Sequence, residues 1–168
     1  MLSPLFVIDG PWRGRLAIAP APAPEPHLEK NLRQWKNIGI SAVVSLLRPG
    51  ELEGMDAEEE ICHQLGLKFY SIPIKDHSVP EPDELPRIAE QLVKIETLLR
   101  VGEKVAAHCY AGIGRSGIAT ISLLMLAGIP LEDARALVSS ARGIPTPETE
   151  EQREWLRSFD RHRRLSYT

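Results

Sequence analysis

Apolar positions along the chain follow two rhythms. Short apolar runs at residues 5–8, 15–19, 42–47, 68–74 and 105–108 predict β-strands, the first two joined by a turn holding Asp9, Gly10, Pro11 and Gly14. Between them the spacing lengthens to three and four. Leu28, Leu32 and Trp35 share one helical face and Gly39 follows as a stop, while Leu85, Ile88, Leu92, Ile95 and Leu99 predict a long amphipathic helix with Asp83 as its N-cap. Residues 118–126, 131–141 and 148–159 predict three further helices, separated by Gly128-Ile129-Pro130 and Gly143-Ile144-Pro145. The alternation predicts an α/β fold, a central and mostly parallel sheet of about five strands flanked by helices.

Composition narrows this to one domain spanning 1–168. With 168 residues, 43% of them apolar, the chain can build a core without disulfides or metal. Proline takes every second position from 20 to 26, which is a stiff surface connection because too little chain precedes it to make a separate domain. The net charge of -3 argues against a nucleic-acid partner. Arg157, Arg161, Arg163 and Arg164 crowd the C-terminus, where they read as complements to the negative end of a helix. Two cysteines, no leader-like start and no apolar run of membrane-spanning length predict a reduced, cytoplasmic protein with no membrane span, and a monomer. The acidic segment 51–60 reads as the lead into a helix, its carboxylates complementing the helix dipole. Cys62, inside that helix-like stretch, reads as a packing residue.

The chemistry is concentrated in His108-Cys109-Tyr110-Ala111-Gly112-Ile113-Gly114-Arg115-Ser116-Gly117. Glycines let successive backbone amides turn around an anion, and the helical composition after Ser116 brings the positive end of a helix to the same point. Tyr110, Ala111, Gly112, Ile113, Gly114 and Arg115 thus predict a phosphate cradle closed by a planar guanidinium, with Cys109 at its floor as a nucleophile that the positive surroundings favour as thiolate. His108, closing a buried strand, reads as support that fixes this loop. None of the five histidines has the spacing of a metal site, so no metal or other cofactor is expected.

This run resembles the His-Cys-x-x-Gly-x-x-Arg-Ser-Gly signature of the Cys-x5-Arg protein tyrosine phosphatase superfamily, and in particular its small dual-specificity-type members; the likeness extends over most of the chain. The resemblance implies metal-independent hydrolysis of phosphotyrosine, phosphoserine and phosphothreonine in protein or peptide substrates through a cysteinyl-phosphate. It implies a general acid in the loop after the fourth strand, where Asp76 lies about thirty residues before the cysteine, with His77, Glu81 and Asp83 as competitors. It also implies that Ser116 hydrogen-bonds the cysteine sulfur; a helix N-cap is the ordinary alternative for a hydroxyl there. Gln152 resembles the glutamine that some branches use to place the hydrolytic water, although an ordinary helix-face amide reads equally well. The loop interior has no lysine, which favours a single phosphate monoester over a polyphosphorylated ring. Gly112-x-Gly114-x-x-Gly117 also spells a dinucleotide fingerprint, but the strand with an acidic end that such a fold needs next is not predicted.

Overall fold

A computed structural model describes residues 1–167. Five strands, β1 (Phe6–Ile8), β2 (Arg15–Ala19), β3 (Ala42–Ser45), β4 (Lys68–Ser71) and β5 (Lys104–His108), form one sheet in the order β1-β2-β5-β3-β4. Only β1 runs antiparallel to its neighbour; the other pairs are parallel. Strand faces alternate with period two. Val43 and Ala106 point to the layer of α1 (Leu28–Asn37) and α2 (Glu58–Gln64), whereas Ala42, Val44, Val105 and Ala107 point to that of α3 (Leu85–Arg100), α4 (Arg115–Leu126), α5 (Leu131–Arg142) and α6 (Glu150–Ser166).

Register decides where the loops meet. His108 pairs with Ala19 of β2 on one side and Ser45 of β3 on the other, and Ser45 pairs with Ser71 of β4. The carboxyl ends of four parallel strands are therefore level, and the loops leaving them share the edge at which open α/β sheets gather ligands. α4 starts there and runs back through the centre of the molecule, buried from Arg115 to Met125.

Several predicted boundaries move. β4 stops at Ser71, although Ile72 and Ile74 still donate to the carbonyls of Ser45 and Leu46 across β3's end, because Pro73 has no N–H to continue the ladder. Asp83 does not cap α3. A one-turn 3-10 helix, Pro82–Glu84, intervenes, capped by Glu81 in reciprocal hydrogen bonds with Glu84. The acidic segment is not helical until Glu58, and this turns out to matter for the site. α6 begins at Glu150 under a capping box in which the Thr149 hydroxyl accepts from the Gln152 amide at 3.1 Å, and it runs on to Ser166. On it, Arg157 pairs with Glu150 and Glu154, while Arg163 and Arg164 pair with Asp160; these are ion pairs along the helix. After β5 only helices follow among the described residues, which removes the dinucleotide reading. No helix in them is long and apolar enough to cross a membrane.

Candidate active site

β5 delivers Cys109 to the edge where the strand loops converge, and the loop Tyr110–Gly114 bends from it into the first turn of α4. Gly112 makes the bend at φ 72°, and a Cβ there would lie 2.4 Å from the Ala19 carbonyl carbon. Only glycine fits both constraints. Among the described residues no backbone carbonyl accepts from the amides of Tyr110, Ala111, Gly112, Ile113 and Gly114. A run of unused donors ahead of a helix N-terminus is an anion site in physical terms.

Cys109 is buried, with Sγ 3.2 Å from Ser116 Oγ. The N-cap of α4 is Gly114 and no side chain caps it, so Ser116 faces the sulfur instead of serving as a cap. His108 is wholly buried; its Nδ1 lies 3.3 Å from the Cys109 carbonyl and its Nε2 2.5 Å from Glu58 Oε1. Cys62 is equally buried on the inner face of α2, where burial and the nearby charges of Glu58 and Glu59 push its thiol up to about 12. It belongs to the core cluster under α1 and α2.

Arg115 is the hub. Its side chain is 1% exposed, yet three acceptors converge on its outer nitrogens. Glu51 receives Nη1 and Nη2 through its two carboxylate oxygens, each at 2.7 Å. Nη1 also donates to the Ile74 carbonyl at 2.9 Å, and Asp76 Oδ1 lies 3.1 Å from Nη2. Burial disfavours the Arg115 charge, but the Glu51 hydrogen bonds and the proximity of Cys109, Glu51 and Asp76 more than offset it and raise its pKa. Burial likewise pushes the Glu51 carboxyl up, and the Arg115 hydrogen bonds, the Arg48 amide and both arginine charges more than reverse this, leaving it below the usual carboxylate range. Nε of Arg115 is buried with no partner. An orphaned guanidinium N–H together with loop amides that have no acceptor among the described residues fits an oxyanion that takes both.

Asp76 stands in the loop after β4, half exposed, its Oδ1 also accepting from the His77 amide at 3.0 Å. The His77 backbone has φ 59°, and its ring lies between Asp76 Oδ2 at 3.6 Å and Glu148 Oε2 at 3.1 Å. Glu81 is engaged as a cap. Gln152 is buried against the loop, within about 3 Å of where a Gly114 Cβ would be. Its Oε1 accepts from the amides of Glu148 and Thr149, and its Nε2 donates to the Ser78 carbonyl at 3.1 Å. It thereby ties the Asp76 loop to α6.

Sequence reasoning brought together Cys109, Arg115, Ser116, Asp76, His108 and Gln152, and all six meet here. It missed Glu51 and Glu58. Glu58 did carry a signal, because it shares a helical face with the apolar Ile61, Cys62 and Leu65, an unusual place for an unpartnered carboxylate. Glu51 carried none, since its partner is 64 positions away and only folding brings them together.

Comparisons with known proteins bear on this arrangement. Residues 21–129 match a family model described as Tc-R-P, polymorphic toxin system, DSP-PTPase phosphatase. The bovine protein tyrosine phosphatase domain-containing protein 1 is 30% identical over 138 residues, 76% of this chain and 17% of that protein. Mouse cyclin-dependent kinase inhibitor 3 is 29% identical over 136 residues, 79% of this chain and 63% of that one, so the chain spans less than two thirds of either relative. Among solved structures, Tk-PTP in its active form is 31% identical, with TM-score 0.71 over 94% of this chain and 96% of that one. Kinase associated phosphatase with its catalytic-site cysteine changed to serine shares the fold, with TM-score 0.83 at 22% identity over 100% of this chain and 99% of that one.

Proposed function

For a chain that belongs to the dual-specificity-type phosphatases of the protein tyrosine phosphatase superfamily, we propose hydrolysis of phosphate monoesters on proteins, phosphotyrosine together with phosphoserine and phosphothreonine, through a cysteinyl-phosphate and without a metal. The observation that carries this is the buried, unpartnered Nε of Arg115 together with the loop amides of 110–114 that have no acceptor among the described residues. The whole described chain serves as one catalytic domain.

In the first step Cys109 Sγ attacks phosphorus in line, the S–P bond forms and the P–O bond to the substrate breaks. The amides of Tyr110 to Gly114 and the Arg115 guanidinium hold the equatorial oxygens as charge redistributes. A phosphoryl oxygen reaching Nε and Nη2 competes with Asp76 for Nη2. The displaced carboxylate takes up a proton from solvent, faces the leaving oxygen and delivers that proton to it. In the second step Asp76 takes a proton from water, whose oxygen attacks phosphorus, and sulfur departs as thiolate supported by the Ser116 hydroxyl. His108, held by Glu58, fixes the peptide that carries the sulfur. Gln152 reaches that water only by releasing the Ser78 carbonyl, so its first role in this reading is to hold the Asp76 loop.

The test is turnover of p-nitrophenyl phosphate and of matched phosphotyrosine, phosphothreonine and phosphoserine peptides in EDTA, by the natural chain and by Cys109→Ser. Turnover of all three peptides that the serine variant loses, while it still binds the phosphopeptides, is the expected result. Phosphopeptide binding without hydrolysis by the natural chain would overturn the enzyme reading. Hydrolysis confined to small, non-protein esters would overturn the substrate class.

A further inference from the structure

The phosphate loop is held from outside by its carbonyls. The Ala21 amide donates to the Tyr110 carbonyl at 3.1 Å. Arg142, the last residue of α5, donates through Nε to the Gly112 carbonyl at 3.0 Å and through Nη2 to the Ala111 carbonyl at 3.2 Å. Its guanidinium carbon lies 4.5 Å above the Phe6 ring, a cation–π contact that fixes the fork from behind. A basic residue in the last turn of a helix ordinarily complements its own helix's carbonyls. Arg142 instead addresses a segment thirty residues upstream.

In a trans peptide the carbonyl and the following N–H point in opposite directions. Holding the carbonyls of Tyr110, Ala111 and Gly112 outward therefore turns the amides of Ala111, Gly112 and Ile113 the other way, across the loop. Glycine makes these peptide planes easy to rotate. A rotated plane would present a carbonyl oxygen to an incoming oxyanion, replacing attraction with repulsion. Two of the three planes depend on one guanidinium.

We propose that Arg142 is a positioning residue which, seated on Phe6, locks the Ala111–Gly112 and Gly112–Ile113 peptides with their amides toward the substrate phosphate. It touches only the outer side of the loop, so it acts through the loop amides and not on the reacting atoms. The proposal rests on the phosphatase reading above.

Arg142→Met, Arg142→Lys and Phe6→Leu test it, read by the affinity for orthovanadate, by kcat and KM, and by thermal unfolding. Arg142→Met should bind vanadate about tenfold or more weakly, with a similar loss in kcat/KM. Arg142→Lys, able to reach one carbonyl at a time, should fall between it and the natural chain, and Phe6→Leu should show a smaller loss of the same kind. A merely structural role would lower the thermal midpoint and leave vanadate affinity of the folded molecules unchanged; that outcome overturns the proposal. Should Arg142→Met fail to fold, an Arg142→Lys variant that binds vanadate as tightly as the natural chain overturns it equally. If the natural chain turns nothing over, vanadate affinity measured by calorimetry still decides the role of Arg142, so the two readings fail separately.

Discussion

Glu51, the Ile74 carbonyl and Asp76 already surround both outer nitrogens of Arg115, so a substrate oxygen that takes Nη2 as well as Nε must displace one of them. Glu51 and the Ile74 carbonyl grip it from one side, and half-exposed Asp76 is the weakest held of the three, because solvent screens its pair. On the proposed reading an arriving phosphate therefore displaces Asp76 first, which is what a leaving-group acid needs. Asp76→Asn should accordingly change stability by less than about 1 kcal/mol. Its kcat should drop by roughly a hundredfold or more with phenyl phosphate, whose phenoxide leaves poorly, and by clearly less with p-nitrophenyl phosphate. A rate series over leaving groups of graded basicity checks this. Equal losses across the series would remove Asp76 as the acid.

At the scale of the element, the unit that matters is β5, its glycine loop and α4. The strand is anchored on both flanks, by β2 and β3, and the helix is buried along almost its full length, so the loop between them has two rigid ends. Gly112 is the point where that loop presses on the end of β2. Gly112→Ala would combine a left-handed backbone with a Cβ 2.4 to 2.5 Å from the Ala19 and Pro20 backbone. Left-handed φ alone costs about 1 kcal/mol, and the clash adds to it. Denaturant unfolding should show a loss above about 1 kcal/mol, and kcat/KM should fall by more than tenfold because the neighbouring amides move with the loop. Unchanged activity in this variant would mean that the ring of amides tolerates a shift that an oxyanion site should not.

Across the whole molecule, Glu51 links the turn after β3 to the start of α4. Removing one partner of so enclosed a pair leaves a buried charge short of compensation, and Glu51→Gln should cost about 2 kcal/mol at neutral pH. The sign with pH follows from its lowered carboxyl pKa. The folded chain holds the carboxylate below the unfolded value, so the stabilisation is complete above about pH 5 and is lost as pH falls through the folded value. The gap between the natural chain and Glu51→Gln should stay constant from about pH 8 to 5 and close below about pH 4, as measured by denaturant midpoints. A gap that widened in acid would contradict the assignment.

The period of apolar residues was enough for the layers, the mostly parallel sheet and the order of helices, because burial of one face obeys a local rhythm that the chain carries openly. The cysteine loop was legible for the same reason: its glycines, arginine and serine are consecutive and need little else to form. Asp76 and Gln152 were reachable through the resemblance and not from spacing alone. Glu51 and Arg142 depended on packing, whereas Glu58 left a signal in its place on an apolar helical face. Glu51 and Arg142 each meet their partner across a long stretch of chain, and charged residues at those positions look in sequence like solvated ones. Strand register levelled the four carboxyl ends, the early stop of β4 freed the Asp76 loop, and the late start of α2 left Glu51 loose enough to reach Arg115. Which carboxylate faces which cation is decided by distance in space, and that quantity exists only after the chain has folded.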